Sequence, residues 1–508
     1  MPAAATIAAP NSGRAVLGGG VADPVVVTPD TETFEDAVFR HSKPGLLDRQ
    51  NFKQHWSVDF WKDFSVPPSI SDPSTPIPSR LQAILQTLTE AARNMGVFSS
   101  SKAAAYWGYH ITRSSFFALQ GIAGVLAARA ASSVTGAESN EVGIRMESMI
   151  RAGLTGPIAE ALAMYYQDFK NIEEDVYKLP WDMTTRGHRQ WSPFWIARRS
   201  AQFVTEAAAT LARRNGGKPD DVWLKSHMYP DYYLNTFHYQ TDGWLSERSA
   251  SVYEVSTETL FLGRQDAMQR QTLVPLRAFM AGRPRDGAGT RMLEVATGTG
   301  RFATFLKDNY PRMDVTLADL SPYYLQEARK NMRYWADMRA PGQALGGADG
   351  TGVSYLQAPA EAISQPDNSY DVVVCVYLFH ELPPEVRRVA AAEMARVLRP
   401  GGLLVVTDSI QLGDRERLDA NLARFGDFNE PYYASYISED FGKLFKEAGL
   451  ECDTKLLASS SKVLSSRKPL QQPKPAATQA DTAQPQGSHS PQTAGEECAE
   501  EICVVPAS

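Results

Sequence analysis

The stretch RMLEVATGTGRFATFL, residues 291–306, sets the strongest limit on how this chain can fold. A short apolar run ends in a glycine-rich turn, and the turn leads directly into a helical pattern. Gly298 and Gly300 allow the backbone to turn sharply and to approach a nucleotide-like ligand, because no side chain holds that ligand away. The stretch therefore predicts a strand, a tight turn that contacts a ligand, and a helix.

The residues that follow repeat the alternation of strand and helix. Apolar runs predicted as strands include DVTLADL, VSYLQA, YDVVVCVYLF and GGLLVVTDSI, and helical patterns lie between them. The run YDVVVCVYLF is apolar on both faces, as expected for a buried parallel strand. A last helix is predicted to begin at Ser438 as N-cap and to end at Gly449. This alternation predicts an α/β fold with a doubly wound, Rossmann-like sheet.

Composition divides the chain of 508 residues into five predicted segments. Segments rich in Ala, Gly and Pro, or in Pro, Gln, Ala and Ser, cannot bury a core and are predicted to be disordered. The predicted segments are a disordered leader (1–30), a mostly α-helical N-terminal domain (31–225), a helical lid over the ligand (226–284), the α/β domain (285–466) and a disordered tail (467–508).

Tryptophan is concentrated in the first half of the chain. Eight of the nine tryptophans lie between Trp56 and Trp244. We interpret this aromatic density as a helical core and prefer that to a binding surface.

Charge and cysteine content narrow the range of partners and compartments. A net charge of −7 argues against nucleic-acid binding, which requires a basic face. Cys498 and Cys503 have no second pair nearby, so no metal site is predicted. No apolar run is long enough for a membrane span, and Gln120 interrupts the nearest one. Few cysteines favour the cytoplasm, although the first 22 residues, rich in Ala and free of acids, leave a plastid or other organelle open.

Two acidic residues distinguish between the ligands that the glycine turn accommodates. Residues 298–303 fit the G-x-G-x-x-G/A pattern of dinucleotide binders, and Asp319 ends the second strand, where an acid bonds ribose hydroxyls. Both features fit NAD and other adenosine cofactors alike. Glu294, however, precedes the turn and would repel a pyrophosphate. A cofactor with cationic groups, such as S-adenosylmethionine, would be attracted there, and its carboxylate suits the N-terminus of the following helix.

Four segments in the same order resemble successive motifs of class I S-adenosylmethionine-dependent methyltransferases, in particular the branch that methylates quinones and other small molecules. They are LEVATGTGRFA, the acid of LADLS, PAEAISQPDNSYDVVVCVYLFHEL and ARVLRPGGLLVV, and the resemblance covers residues 285–465. Residues 230–275 resemble the helical segment that such enzymes place over the cofactor. The resemblance implies S-adenosylmethionine as cofactor, bound by Glu294, Ala296, Gly298, Gly300, Asp319, Leu320, Ala360 and Val376.

Two positions depart from the pattern of this family. Ala296 stands where the family usually has glycine. Alanine fits there if its φ is negative, and we expect a slightly tighter pocket and no loss of binding. Pro359 stands where an aspartate often contacts the adenine amino group. We therefore expect adenine to be recognised by backbone groups near Ala360 and by stacking on Leu320.

Methyl transfer from a sulfonium is an in-line displacement, which requires a positioned nucleophile and, for a protonated acceptor, a base. His380, followed by Glu381, is either such a base or a support for the next loop. Tyr377 is predicted to line the acceptor pocket. His238 and Tyr239 either line that pocket from the lid or pack in a core. The pair Arg387 and Arg388 is interpreted as a solvated helix face.

The sequence thus predicts an enzyme that transfers a methyl group from S-adenosylmethionine to a small-molecule acceptor. Two alternatives stay open: a non-catalytic methyltransferase-like binding or scaffold protein, and an NAD-dependent oxidoreductase. An apolar pocket beside the cofactor would favour the enzyme, whereas a filled pocket would favour the binding protein.

Overall fold

A computed structural model describes most of the chain between residues 43 and 470. The described ranges are 43–65, 96–135, 155–215, 226–235, 242–343, 345–347, 349–423 and 430–470, with single positions at 76, 78, 79, 82, 86, 89, 93 and 224. All of them except Leu470 belong to one compact unit that ends at Pro469. The predicted leader, His238 and Tyr239 lie outside the described residues.

A mixed sheet of eight strands forms the centre of this unit. The strands are β1 (Lys53–Gln54), β2 (Arg291–Val295), β3 (Asp314–Asp319), β4 (Val353–Gln357), β5 (Tyr370–Val376), β6 (Leu398–Ser409), β7 (Glu451–Ala458) and β8 (Ser461–Arg467).

The strand order explains where a ligand can bind. The order is β1-β7-β8-β6-β5-β2-β3-β4, and the five strands from β6 to β4 are parallel to one another. β8 runs antiparallel to both β6 and β7. From β2 the chain proceeds outward to β3 and β4 and then returns to the other side of β2 as β5. Ligands of such sheets bind at the carboxyl ends of the strands at this switch point, between β2 and β5. The predicted doubly wound α/β fold is confirmed.

Helices cover the sheet and extend beyond it. They are α1 (Pro44–Asn51), α2 (Trp56–Asp63), α3 (Ser101–Thr135), α4 (Thr155–Glu173), α5 (Trp181–Thr184), α6 (Pro193–Asn215), α7 (Glu247–Leu260), α8 (Gln265–Arg270), α9 (Leu273–Phe279), α10 (Arg301–Asn309), α11 (Pro322–Arg339), α12 (Pro384–Val397), α13 (Asp419–Ala423), α14 (Tyr433–Tyr436) and α15 (Phe441–Glu447). None of the helices in the described ranges is long and apolar enough to cross a membrane.

The N-terminal helices share a core with the sheet. β1 pairs in parallel with β7, and one hydrophobic cluster joins Trp61 of α2 and Trp107 of α3 to Leu457 of β7. Between α4 and α8, the buried carboxylate of Asp168 accepts hydrogen bonds from Arg270. The boundary at residue 225 between a helical domain and a lid stays a prediction, but the packing of the described residues is continuous across it.

Two predicted boundaries near the C-terminus are wrong. Asp440, not Ser438, caps α15, because its side chain accepts the Lys443 N–H at 2.9 Å. The stop at Gly449 is confirmed, with φ at +79°. The tail does not begin at residue 467: Arg467 still pairs with Leu403 in the sheet, and the Lys468 N–H bonds the Gly402 carbonyl. The remainder of the predicted tail, residues 471–508, lies outside the described residues.

Candidate active site

Two residues with unusual backbone conformations lie at the switch point of the sheet. Ala296 directly follows β2 and Tyr377 directly follows β5, and their φ angles are +55° and +57°. The condition that Ala296 has a negative φ is therefore not met. The chain must leave β2 sharply, because the next N–H, that of Thr297, bonds back to the Ala318 carbonyl of β3 at 2.9 Å. A left-handed conformation costs a non-glycine residue about 1–2 kcal/mol, and such strain concentrates at functional sites.

The two glycines of the turn have different environments. Gly298 has φ +56°, its N–H bonds Asp319, and a side chain added to it would meet no atom within 4 Å. Gly300 has φ +71°, and a Cβ added to it would lie 3.0 Å from the Cβ of Ala328 in α11. Gly298 therefore keeps the pocket open, whereas Gly300 allows α10 and α11 to pack closely.

A pocket opens above this turn. It is lined by most of the predicted cofactor residues, by two further predicted residues, Tyr377 and Glu381, and by several that the sequence did not suggest. The predicted cofactor residues that line it are Glu294, Ala296, Gly298, Asp319, Leu320, Ala360 and Val376. Gly300 and His380 do not belong to the lining.

A buried carboxyl group with one unpaired oxygen lies in this pocket, which we name the cofactor pocket after the predicted residues that line it. Glu294 is 1% exposed, and no described residue donates a hydrogen bond to its Oε2. Burial raises the pKa of Glu294 to about 8, opposed by the Thr297 hydroxyl and reinforced by the charge of Asp319. A buried carboxyl oxygen without a donor is costly, and a cation or a hydrogen-bond donor of a ligand would relieve that cost.

Asp319 fastens the glycine turn from the neighbouring strand. Its Oδ2 accepts the Gly298 N–H and its Oδ1 accepts the Ser321 N–H, both at 2.8 Å. Burial raises its pKa to about 6, although these backbone donors act in the opposite direction. Each carboxylate oxygen retains a lone pair, so the group can also accept hydroxyl donors from a ligand.

Aromatic residues form part of the wall of the cofactor pocket. Trp244, Tyr253 and Tyr324 form an edge-to-face cluster with centroid distances of 5.3–5.7 Å. Tyr232 and Tyr233 also line the pocket. The sequence prediction offered His238 and Tyr239 either as lining of the acceptor pocket or as core residues, and both lie outside the described residues. The sequence did contain a signal for the aromatic lining. Trp244 and Tyr253 lie on either side of the residue at which α7 begins, and this spacing could have identified them.

His380 lies beneath the pocket in a group of carboxylates. Its Nδ1 is 2.6 Å from Asp408 Oδ1, and its Nε2 is 3.5 Å from Glu381 and 3.7 Å from Glu430. Burial alone would lower the pKa of His380, but Asp408 and Glu430 raise it well above its ordinary value. A raised pKa makes an imidazole a weaker proton acceptor near neutral pH only in so far as it is already protonated, and the bonded partner here is Asp408 of β6 and not the next loop. Catalysis by His380 or Glu381 stays untested.

The acidic side chains around His380 are also relevant to metal binding. His380, Glu381 and Glu430 have ligand atoms within 4.8 Å of one another, the one group of this kind among the described residues. A metal would have to displace the proton from the imidazole, because only neutral histidine is a ligand.

Arg387 is not part of a solvated face, and this interpretation is wrong. Its side chain is fully buried, with Nε bonded to the Phe379 carbonyl at 2.9 Å and a terminal nitrogen to the Tyr432 carbonyl at 2.8 Å. It joins the loop after β5 to the segment before α14, which carries Glu430. A planar guanidinium supplies five donors, which suits a site that must satisfy several carbonyls.

A second cavity, of about 670 Å³, adjoins the first. Tyr253, Gln269, Thr299 and Arg301 line both. Trp191 and Trp195 line the second cavity, whereas Trp61, Trp107 and Trp181 are fully buried. The interpretation of the tryptophans as a helical core is thus correct for some and wrong for others.

Comparison with known proteins gives matches to part of the chain. Residues 292–402 match a family described as a methyltransferase domain. The demethylmenaquinone methyltransferase of Deinococcus radiodurans is 33% identical over 118 residues, which are 23% of this chain and 42% of that protein. The enzyme of the same name from Thermus thermophilus is 35% identical over 121 residues, 24% of this chain and 48% of that protein. The chain spans about half the length of the curated relatives it matches.

Among solved structures, a methyltransferase of Aquifex aeolicus described as S-adenosylmethionine-dependent is similar. It is 16% identical, with a TM-score of 0.28, and the match covers 39% of this chain and 93% of that one. The fold assignment comes from the strand order and not from this superposition.

Proposed function

We propose that this protein transfers a methyl group to a small-molecule acceptor. The proposal starts from the class I S-adenosylmethionine-dependent methyltransferase domain in the α/β part of the chain. The observation that carries the proposal is the unpaired, buried Oε2 of Glu294 in the cofactor pocket. This carboxylate suits the ammonium group of S-adenosylmethionine. The pyrophosphate of NAD would be repelled by this carboxylate, which disfavours the oxidoreductase alternative.

The residues around the pocket divide the recognition of the cofactor among them. Glu294 would hold the ammonium group and Asp319 the ribose hydroxyls, while Leu320 and Ala360 would flank the adenine. When bound, S-adenosylmethionine supplies an electrophilic methyl group on a sulfonium. The aromatic residues Trp244, Tyr253 and Tyr324 would exclude water from that group and attract its positive charge. The chain's task in catalysis is then to orient the acceptor, which can account for much of the rate.

The acceptor cannot be carried over from the relatives. Their names refer to demethylmenaquinone and to ubiquinone and menaquinone biosynthesis. The matched family spans only residues 292–402, and most of the second cavity is built by residues before that range. An open, largely apolar cavity beside the cofactor pocket favours an enzyme over a scaffold. We propose a small molecule and not a nucleic acid, given the net charge of −7, and a cytoplasmic or organellar location.

Incubation with methyl-labelled S-adenosylmethionine and a metabolite extract tests this function. We expect the label to appear in a small molecule. Binding of the cofactor without transfer of label to any small molecule would instead support the scaffold alternative.

Replacement of Asp319 by alanine is expected to weaken binding of S-adenosylhomocysteine by about 1–3 kcal/mol, the usual cost of leaving buried partners unpaired. The loss combines the ribose contact with the Gly298 and Ser321 N–H groups that Asp319 now satisfies. Asp319→Asn is the matched control, because its amide keeps one acceptor oxygen and should lose less. Calorimetry measures both, and equal affinity of the alanine variant and the wild type would contradict the assignment.

Cofactor binding at pH 7 is expected to release close to one proton. Glu294 has a pKa of about 8 in the free protein and is mostly protonated at pH 7. Pairing with an ammonium group favours the carboxylate, so the proton leaves on binding. Asp319, with a pKa of about 6, is already mostly ionised and contributes little.

Calorimetry in buffers of different ionisation enthalpy measures this release. Glu294→Gln has no proton to lose and should abolish most of it. Release of the same size in wild type and variant would show that the proton comes from elsewhere and would refute the contact.

A further inference from the structure

The second cavity has mainly aromatic and aliphatic walls, and we name it the aromatic cavity. Its walls come from α3, α6 and α7 and from the segment before α6, and include Phe116, Phe117, Met183, Trp191, Trp195 and Ile196. A cavity of about 670 Å³ with such walls accommodates a flat, largely apolar molecule of several rings.

One side of the aromatic cavity is polar and incompletely bonded. Glu258, Gln265 and Gln269 line it, are 3–8% exposed, and each has one side-chain oxygen that accepts no hydrogen bond from any described residue. An unpaired buried acceptor costs about 1–3 kcal/mol, so three in one cavity point to a ligand that donates hydrogen bonds. Gln269 also lines the cofactor pocket, which places this polar side next to the cofactor.

The charges in the aromatic cavity argue against an anionic ligand. The terminal nitrogen of Arg113 that bonds Glu258 also bonds Asp266, both at 2.9 Å. Arg301 bonds Asp182 and Asp266, both at 2.6 Å. Arg113 Nε has no acceptor among the described residues. One donor beside several acceptors matches a hydroxyl group, which both donates and accepts.

We propose that the aromatic cavity is the methyl-acceptor site and that it binds a flat, largely apolar molecule through a hydroxyl group that donates a hydrogen bond to Glu258 Oε2. Use of this site as an acceptor site rests on the proposed methyltransferase function, whereas binding itself does not. Binding is therefore measured without cofactor, so that the result does not depend on the methyltransferase function.

The probe is 2-naphthol, a two-ring molecule with one hydroxyl, and 2-methoxynaphthalene is its partner without a donor. At pH 8, where Glu258 is mostly ionised because burial raises its pKa only to about 7, wild-type protein is expected to bind 2-naphthol at least about tenfold more tightly, as a hydrogen bond to a charged acceptor implies. In Glu258→Met the ratio of the two affinities should fall towards one, while 2-methoxynaphthalene binds as before. A general loosening of the variant would weaken the binding of both probes alike, so it cancels in the ratio of the two affinities.

A second variant tests the location. Gly108 of α3 lines the aromatic cavity, and a Cβ added there meets no atom within 4 Å. Gly108→Leu should fill the space and lower 2-naphthol affinity by about tenfold or more, with S-adenosylhomocysteine binding unchanged. Gly156→Leu in α4 is the matched control, since its Cβ position is equally open but lies outside both cavities. Leucine suits a helix better than glycine, so neither change should unfold the chain.

Three outcomes would overturn the proposal: no binding of 2-naphthol, equal binding of the two probes, or 2-naphthol affinity unaffected by Gly108→Leu. Failure of S-adenosylhomocysteine to bind wild-type protein would instead count against the methyltransferase function and leave the probe results to be judged separately.

Discussion

Replacement of Glu294 by glutamine is expected to weaken binding of S-adenosylmethionine by about 2–5 kcal/mol, which is thirtyfold or more. Glutamine keeps the size of the side chain and one acceptor oxygen but removes the charge. The ammonium group of the cofactor would then be buried without a counter-charge, which is the source of the loss. No other predicted contact in the cofactor pocket involves opposite charges so deeply buried, because Glu294 is only 1% exposed.

Calorimetric titration at pH 8 measures this loss, with Glu327→Gln as the matched control. Glu327 is also a buried carboxylate, but it pairs with Arg199 and Lys330 and lines neither cavity. Its replacement should leave cofactor affinity unchanged. If Glu294→Gln bound the cofactor as tightly as the control did, Glu294 would have no part in recognising the ammonium group.

The same change should not weaken the free protein. Folding raises the pKa of Glu294 from its ordinary value to about 8. At a pH between these two values, the folded state holds a proton that the unfolded state has lost. Stability therefore falls as pH rises through this range. Glutamine does not titrate, and Glu294→Gln should melt at or above the wild-type temperature at pH 8. A residue that reduces stability and increases ligand affinity is typical of a binding site.

Local patterns in the sequence were sufficient for the α/β part of the fold and for most of the cofactor pocket. The strand that ends at Val295, the glycine turn and the acid at the end of β3 lie within about thirty residues, and adjacent parallel strands bring their carboxyl ends together. Glu294 and Asp319, which were predicted to bind the cofactor, accordingly line one pocket, and their binding of it stays a prediction. The sign of φ at Ala296 could not be predicted, because it depends on the hydrogen bond from Thr297 to β3.

Long-range contacts account for what the sequence did not reveal. The bond between Arg113 and Glu258, which forms part of the aromatic cavity, joins residues 145 positions apart. The charged neighbours of His380 are a second example. Asp408, which is 28 residues further along the chain, and Glu430 raise its pKa. Periodicity and short motifs describe neighbours along the chain and contain no information on such pairs.

The second large effect is expected at Asp168, whose replacement by alanine should lower the free energy of unfolding by about 3–5 kcal/mol. Asp168 is fully buried and accepts two hydrogen bonds from Arg270, at 2.6 and 3.1 Å. The hydroxyls of Tyr106 and Tyr177 also bond it, at 2.5 and 2.8 Å. With alanine at position 168, the guanidinium of Arg270 would stay buried with no negative charge beside it. The desolvation cost of that unpaired charge dominates the loss of stability.

Chemical denaturation followed by circular dichroism measures the change, and the double variant Asp168→Ala/Arg270→Leu is the control. Removing both charges should recover part of the lost stability, because an apolar pair can replace a buried ion pair at little cost.

The number of unfolding transitions tests whether the N-terminal helices fold independently. Asp168 lies in α4 and Arg270 in α8, on either side of the predicted boundary at residue 225. A helical domain that folded independently would unfold early in Asp168→Ala and leave a second, unshifted transition. We expect one transition that shifts as a whole, because β1 and the N-terminal tryptophans are built into the same core as the sheet.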